Sequence, residues 1–435
     1  MATAAAAGVL AGAPGLAQAQ AGAGDAQLAA MLNAFADEMI KASPETATGL
    51  GLDKDAHADL KSKLSDVSRG SLAADQRSAY AMLRRMWAID PASLSQRERT
   101  RYEAVQYALR LGAQGGDFRY GDNTFKSAMG ESATPYVVSQ QTGAMVGIPE
   151  FLNSQHKIET RADCEAYLAR LDAFARQLDQ ETERVRYDMD QGVIAPDFML
   201  DTTLTQARAF RATPAGETGM VHSLATRAAA KNIEGDWAAR AERIVTSRVY
   251  PAAERQIAAL NEAADHAGHD AGVWKLPHGE EYYSWLLRVG TSTNLTADEI
   301  HNMGLEQGAE IDARMDQILR RQGMTHGSVG ERMSAATRDR RFLKPNTDAG
   351  RAEIISYLEG RIAAVRPLLP RVSHMQLRAP VEVHRVPPSI QDGAGLGYMN
   401  FASLDGSRPA IYYINLKDTA LWPIWTLPTL TAHET

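Results

Sequence analysis

The sequence lacks the features typical of disulfide-rich, membrane-spanning and nucleic-acid-binding proteins. Its 435 residues include one cysteine, Cys164, so no disulfide can form within the chain. After residue 25, no stretch reaches the ~18 apolar residues needed to cross a bilayer. Lys and Arg total 46 against 53 Asp and Glu, interspersed at a formal net charge of −7. This balance excludes the basic stripe typical of a nucleic-acid-binding protein.

Several catalytic motifs are missing as well. The serines show no G-x-S-x-G turn, and the chain has no G-x-G-x-x-G or Walker loop. Cys164 lies within an ordinary amphipathic pattern. These absences argue against nucleophilic catalysis by a serine or cysteine and against a nucleotide cofactor.

The first 25 residues form a leader of small apolar residues. Overlapping Ala-x-Ala sites at Ala17-Gln18-Ala19 and Ala19-Gln20-Ala21 match the pattern that signal peptidase cleaves. No Lys or Arg precedes the apolar run, so a flexible Ala/Gly leader is the alternative interpretation. The signal-peptide interpretation predicts an exported protein, periplasmic or secreted.

Residues 26–435 are predicted to be mainly helical. With 44% hydrophobic and 23% charged residues, the chain can form one large core or two or three lobes. Between Leu168 and Met189 apolar residues recur at spacings of three, four or seven, and Gly192 closes the pattern. Similar amphipathic stripes occupy residues 27–42, 72–91, 96–112, 223–264, 298–322 and 351–367. The sequence therefore predicts an extended bundle of helices.

The period of the apolar residues changes between about 377 and 416. In "APVEVHRVP", Val381 and Val383 alternate with polar residues, which is typical of a strand. The following segment "RPAIYYINL" is rich in β-forming residues. A small β-sheet or hairpin is predicted here, close to the C-terminal end of the chain.

The last ten residues, "TLPTLTAHET", place His433 next to Glu434. Pro428 fits the first turn of a helix, because its missing N–H is not needed there, and the H-E pair then lies on the second turn. Successive side chains on a helix diverge by about 100°, so a neutral imidazole can hold a metal while the adjacent carboxylate reaches the bound water. In the H-E-x-x-H form a second histidine would lie four residues on, past the last residue. The order strand, loop, helix is typical of zinc hydrolases, in which a strand edge binds an extended peptide.

Four segments carry a resemblance to a known family. They are "SPETATGLGL" (43–52), "APDFML" (195–200), "EEYYSWLLRVGTSTNLTADEIHNMGLEQ" (280–307) and "GYMNFASLDGSRPAIYYINLKDTALWPIWTLPTLTAHET" (397–435). In these segments the chain resembles the bacterial family catalogued as domain of unknown function 885, over nearly its whole length after the leader. Members of that family are mostly helical and often exported, and they typically continue the last segment as H-E-x-x-P-G-H-H.

The family is itself similar to helical H-E-x-x-H zinc peptidases such as carboxypeptidase Taq and angiotensin-converting enzyme. The resemblance implies that His433 is a zinc ligand, that Glu434 is the general base, and that the remaining ligands lie beyond Thr435. A zinc site needs about three protein ligands, so residues 26–435 are interpreted as an incomplete zinc-peptidase-like domain that is inactive by itself. The proline in the family motif would bend the helix, so an i, i+4 ligand pair does not transfer directly.

Other candidate residues have a structural interpretation beside the functional one. Tyr412 and Tyr413 lie on a predicted edge strand, where they would contact a peptide substrate or stabilise an oxyanion; otherwise one is packed and one exposed. His266 and His269 have a helical ligand spacing, but the breakers around them favour a solvated loop. His384 is expected on a sheet face rather than at a metal.

These observations predict that the parent protein is an exported zinc-dependent metallopeptidase that hydrolyses peptide bonds. The alternative is a non-catalytic helical periplasmic binding or scaffold protein that shares the fold. Zinc is the cofactor and a peptide the substrate that the resemblance implies, whereas neither a nucleic-acid partner nor a membrane span is expected.

Overall fold

Fifteen α-helices make up most of the described chain, which confirms the mainly helical prediction. The computed structural model describes residues 23–125, 133–373, 379–387, 391, 394–404 and 406–434. Residues 1–22 of the predicted leader lie outside this part. Two compact units are present, a division that the helical periodicity did not predict. Residues up to Thr48 and Asp53–Ala297 form unit 1, and Gly49–Leu52 with the residues from Asp298 onward form unit 2.

The helices are numbered in chain order. They are α1 (Ala23–Ala42), α2 (Pro44–Gly49), α3 (Arg69–Trp87), α4 (Gln96–Gly115), α5 (Ala144–Ser154), α6 (Arg161–Asp190), α7 (Asp197–Ala212), α8 (Gly219–Ala230), α9 (Trp237–Ile244), α10 (Tyr250–Ala264), α11 (Gly279–Thr291), α12 (Ala297–Arg321), α13 (Val329–Arg338), α14 (Asp348–Val365) and α15 (Leu427–Glu434). Apart from one boundary residue each in α2 and α12, the first eleven lie in unit 1 and the last four in unit 2. None of the described helices combines the length and the apolar character needed to cross a membrane.

Helix α6 is the central element of unit 1. Its start is fixed by Thr160 and Asp163, each of whose side chains accepts a hydrogen bond from the backbone N–H of the other. Its end is followed by Gly192, which has the left-handed backbone conformation (φ +78°) that ends a helix without strain. Fifteen of its thirty residues are buried, so the helix is covered on more than the one apolar side that the sequence predicted.

The predicted stripe over residues 223–264 is divided in the structure. Helix α8 ends at Ala230, and α9 begins at Trp237 after a turn in which Asn232 and Gly235 both have positive φ. From α9 the chain continues through one π-helical turn, Val245–Val249, into α10. The apolar spacing continues across the turn because both sides face one core, so spacing alone did not reveal the break.

A three-stranded sheet in unit 2 confirms the predicted small sheet. It consists of β1 (Val381–Arg385), β2 (Gly397–Asn400) and β3 (Ala410–Ile414), in the spatial order β1-β3-β2. Strands β2 and β3 are antiparallel, whereas β1 pairs with β3 in parallel. Strand β3 therefore lies in the middle of the sheet, and the expectation that Tyr412 and Tyr413 occupy an edge strand is wrong.

One face of the sheet forms the core of unit 2. Tyr412 and Ile414 of β3 are fully buried there together with Leu358 of α14 and Leu427 of α15. The alternation of side chains along a strand sends residue 412 into this core and residue 413 to the other face. The packing of α15 on this core positions the H-E pair.

Candidate functional site

His433 and Glu434 lie on different sides of helix α15. It begins at Leu427 with Pro428 in its first turn, as predicted. Leu427 and Thr431 are buried, and Thr431 Oγ1 donates a 2.7 Å hydrogen bond to the Leu427 carbonyl. Glu434, seven residues after Leu427, continues this inward side and is half-buried, whereas His433 is exposed. The diverging directions expected for a ligand and an adjacent base are therefore present.

The inward side of α15 meets the sheet at Tyr412. This side chain is fully buried, and its hydroxyl has no hydrogen-bond partner among the described residues. Burial and the negative charge of Glu434 raise the pKa of the Tyr412 phenol. Gly397 of β2 lies against both elements, because a Cβ built there would be 3.5 Å from the Tyr412 ring and 3.6 Å from Leu430 of α15. Tyr412 therefore lies beside α15 and within electrostatic range of Glu434.

Tyr413 lies on the opposite face of the sheet from Tyr412. Its ring stacks on Tyr398 of β2, with centroids 4.9 Å apart and planes 20° apart. On its other side it meets the ring edge of His384 of β1 at 5.9 Å. His384 Nε2 lies 2.9 Å from a carboxylate oxygen of Glu382. The expected sheet-face position of His384 is confirmed, and Tyr413 is separated from the H-E pair by the sheet itself.

The two other candidate histidines, His266 and His269, lie at the surface of unit 1. His266 and His269 lie in the exposed loop after α10, as predicted. His269 Nδ1 is 2.9 Å from a carboxylate oxygen of Asp197, and its side chain is 85% exposed. Cys164 is buried in α6, and burial raises the pKa of its thiol, which keeps it in the unreactive protonated form.

The donor chemistry of α15 fits part of a zinc site. His433 offers an accessible imidazole, and the adjacent Glu434 offers a carboxylate directed elsewhere. In the part of the chain that the structure describes, no group of three or more His, Cys, Asp or Glu side chains could hold a metal ion. The described residues therefore supply one candidate ligand and one candidate base.

A row of buried polar residues along α6 was missed by the sequence analysis. They follow a helical spacing of seven, four, three and four residues beside the apolar stripe, and this spacing is the signal that could have found them: Arg170, Gln177, Glu181, Arg184 and Asp188. Buried charges of this kind are stable only when each has polar partners.

Arg170 connects α6 to the segment Leu60–Lys63 and to the side chain of His156. Its guanidinium donates to the Lys63 carbonyl at 3.0 Å and to the Leu60 carbonyl at 3.1 Å, and Nη1 lies 2.7 Å from Nδ1 of His156. Burial and the positive charge of Arg170 lower the pKa of His156 to about 3. The neutral imidazole therefore accepts from Arg170 at Nδ1 and donates from Nε2 to the Asp163 carbonyl, 3.0 Å away.

The carboxylate of Asp188, near the end of α6, binds a backbone N–H group of another segment. Burial raises the pKa of Asp188 to about 6 although its carboxylate accepts a 3.0 Å hydrogen bond from Gly121 N–H. Arg184 donates to the carbonyl of the same glycine at 2.8 Å. A pocket of about 30 Å³ beside Asp188 is too small to hold a peptide. These contacts stabilise the fold of unit 1.

The fold and the site define a class of protein: a mainly helical chain with a small mixed sheet that packs against a helix bearing an H-E pair. The family described as "Bacterial protein of unknown function (DUF885)" matches residues 44–435, so the chain belongs to this family. No curated protein matches it. It is similar to a solved structure described as "the putative lipoprotein from Colwellia psychrerythraea", with 25% identity and a TM-score of 0.86. That match covers 95% of this chain and 70% of the other.

Proposed function

We propose that this chain belongs to an exported zinc-dependent metallopeptidase in which His433 is a zinc ligand and Glu434 the general base. The observation that carries the proposal is the arrangement on α15. An exposed imidazole stands next to a half-buried carboxylate, which in turn faces a buried hydroxyl without a partner. A buried hydroxyl without a partner lowers the stability of the fold.

Each residue has a distinct role. Zinc, when bound, polarises the peptide carbonyl and makes the attacking water more acidic. Glu434 accepts the proton of that water at its carboxylate and delivers it to the leaving amine. Tyr412 interacts electrostatically with Glu434, and its hydroxyl has no hydrogen-bond partner among the described residues. His433 is directed away from this pair and is free to bind the metal.

The edge of β2 is the proposed position for the peptide substrate. The backbone N–H of Asn415 donates to the Leu396 carbonyl, so the paired residues 396 and 415 form a hydrogen-bonded pair of the antiparallel ladder. Hydrogen-bonded pairs alternate along such a ladder, which directs the N–H and C=O groups of Gly397 and Met399 away from β3. An extended peptide can pair with these groups, and β2 is the strand that contacts α15.

Export is supported by the description of the similar solved structure as a lipoprotein. The leader with its Ala-x-Ala sites supports it independently, although those residues lie outside the described part. The non-catalytic alternative, a periplasmic binding or scaffold protein, shares this export and differs in the metal chemistry. Zinc content and peptide cleavage therefore decide between the two.

The test uses the complete product of the source gene, which is first sequenced beyond codon 435 to identify further histidines. Zinc per protein is measured by mass spectrometry, and cleavage is measured on a library of internally quenched peptides. We expect bound zinc and cleavage in the unmodified protein and loss of both in His433→Ala. Glu434→Gln should keep its zinc and lose at least about 100-fold in kcat, since it removes only the proton acceptor.

His326→Ala is the matched control, because His326 is exposed in the same unit and outside the site. It should retain zinc and activity. Equal zinc in His433→Ala and His326→Ala would remove His433 from the metal site. A complete gene product without zinc and without cleavage would favour the binding or scaffold protein. The 435-residue chain alone is expected to show no turnover, because its described residues lack three ligands.

A further inference from the structure

Helix α12 in unit 2 has an apolar side that is largely exposed in the part of the chain that the structure describes. Leu319 is the one buried residue of its twenty-five. Its C-terminal end is held by the ion pair between Asp316 and Arg332 of α13, 2.5 Å apart. Met303, Ile311 and Ile318 are 45%, 53% and 50% exposed. A helix so poorly supported is marginally stable in water, so its length indicates a further packing partner.

Five apolar residues of α12 form a stripe with helical spacing. Ile300, Met303, Ile311, Met315 and Ile318 recur at intervals that keep them on one side of the helix. Ile300 and Met315 are partly buried, and the other three are exposed. Gly304 and Gly308 lie within this stripe, and a Cβ built at either would meet no atom within 4 Å. Glycine inside a helix lowers its stability relative to alanine. Two such glycines on an apolar stripe allow another backbone to approach closely.

Exposed apolar side chains concentrate in unit 2 as a whole. Of the seventeen large hydrophobic residues exposed in the described chain, eleven lie in unit 2, which holds about a third of the sequence. A folded unit rarely exposes so much apolar surface unless another surface covers it. The exposed apolar side of α12 is therefore one part of a larger exposed apolar surface in unit 2.

The similar lipoprotein structure indicates which part of a longer polypeptide could pack on the apolar side of α12. The match spans 95% of the present chain and 70% of the lipoprotein chain, so almost a third of the latter has no counterpart in these 435 residues. One flank of the α12 stripe carries Glu299, Glu306 and Glu310. A segment that packs here has apolar residues facing the stripe and Lys or Arg facing that flank.

We propose that the apolar side of α12 is the docking surface for a further segment of the same polypeptide, equivalent to the unmatched part of the lipoprotein chain. The segment is an amphipathic helix with a basic flank, and it approaches closest at Gly304 and Gly308. This proposal does not depend on zinc or on catalysis. The peptidase proposal can fail while the docking holds, and the reverse is equally possible.

Cysteine accessibility tests the proposal in the complete gene product and in the 435-residue chain. Ile311→Cys places a thiol on the stripe, and Asn302→Cys places the matched control on an exposed position about 180° around the helix axis, beyond the acidic flank. The native Cys164 is buried and contributes little background. In the complete product, maleimide should react at least about tenfold more slowly at position 311 than at position 302. In the 435-residue chain the two rates should be equal.

Three outcomes would overturn the proposal. The first is equal labelling at the two positions in the complete product. The second is protection of position 311 that increases with protein concentration, which would assign the surface to a second copy. The third is a gene that ends at codon 435.

Gly308→Ala provides a second test. Its effect should be stabilising when α12 is uncovered and destabilising when the segment is docked on it. In the 435-residue chain alanine should slow hydrogen exchange in α12, because it favours the helix. In the complete product the added methyl group should push the segment away and accelerate labelling of Ile311→Cys. If Gly308→Ala slows hydrogen exchange in the 435-residue chain and also slows labelling of Ile311→Cys in the complete product, a close backbone approach is contradicted.

Discussion

The carboxylate of Glu181 accepts a 2.7 Å hydrogen bond from the backbone N–H of Ala144, the first residue of α5. A second hydrogen bond, 3.0 Å long, comes from the side-chain amide of Gln256. Both bonds favour the charged form, and Arg184 favours it as well, whereas Asp122 opposes it. Burial is the largest effect, and it raises the pKa of Glu181 from 4.5 to about 7.

This raised pKa predicts a loss of stability with rising pH. The folded state binds a proton that the unfolded state releases near pH 4.5, so the contribution of Glu181 is full below that value and is lost as the pH rises through about 7. Between roughly pH 5.5 and 8.5 this amounts to about 2 kcal/mol. Urea unfolding at the two pH values, compared between the unmodified chain and Glu181→Gln, measures the difference.

The control for this prediction is Glu183→Gln, on the exposed side of the same helix. It should keep the pH dependence of the unmodified chain, whereas Glu181→Gln should reduce it by the stated amount. An unchanged pH dependence in Glu181→Gln would show that the carboxylate is solvated in solution.

Replacing Arg170 should destabilise unit 1 strongly. Arg170→Met removes the donor to the Lys63 carbonyl and to Nδ1 of His156 in the protein interior, which we expect to cost about 3 kcal/mol. Arg176→Met, on the exposed side of α6, should change the free energy of unfolding by less than about 0.5 kcal/mol. Chemical denaturation of the two variants provides the comparison, and similar values would mean that water replaces the guanidinium.

The hydroxyl of Tyr412 should contribute nothing to stability. Tyr412→Phe removes a buried group without a partner, so the free energy of unfolding should stay within about 0.5 kcal/mol or rise. Tyr282→Phe is the matched change, because the buried hydroxyl of Tyr282 donates a 2.9 Å hydrogen bond to Asn123, and it should lose about 1 kcal/mol. Equal losses in thermal unfolding would indicate that Tyr412 has a partner in solution.

Two glycines inside helices should respond to alanine with opposite signs. At Gly112 of α4 a Cβ would lie 2.3 Å from Cα of Phe125, so Gly112→Ala should destabilise by about 1–3 kcal/mol. At Gly360 of α14 a Cβ meets no atom within 4 Å, so Gly360→Ala should stabilise by about 0.5–1 kcal/mol. Thermal unfolding measures both. A gain at Gly112 would refute the close approach of Phe125 to α4.

Much of the fold could be predicted from local pattern, and the limits have physical causes. The spacing between Leu168 and Met189 identified α6, because a helix that buries one side repeats apolar residues every three or four positions. The alternation around Val383 identified β1 for the equivalent reason. The apolar spacing did not reveal that the helix ends after Ala230. The helices on both sides of this break face one core, so their apolar residues keep the same spacing.

The site was predicted in its residue types and only partly in its geometry. Pro428 and the H-E pair occupy the helix that the sequence predicted. Tyr412 and Tyr413 are adjacent in sequence, but only tertiary pairing decided that their strand is central and that Tyr412 is the one in the core. The roles of His433, Glu434 and both tyrosines in zinc and peptide binding stay predictions.

The sequence by itself determined that the chain is mainly helical, that a small sheet is present, and that a turn of helix carries His433 and Glu434. These follow from the spacing of apolar residues and from proline, which act within a few residues of the chain. Tertiary structure alone decided the order of the strands, the burial of Glu181 and Arg170, and the exposed stripe of α12. Burial depends on what segments distant in sequence place around a side chain, and no local pattern contains that information.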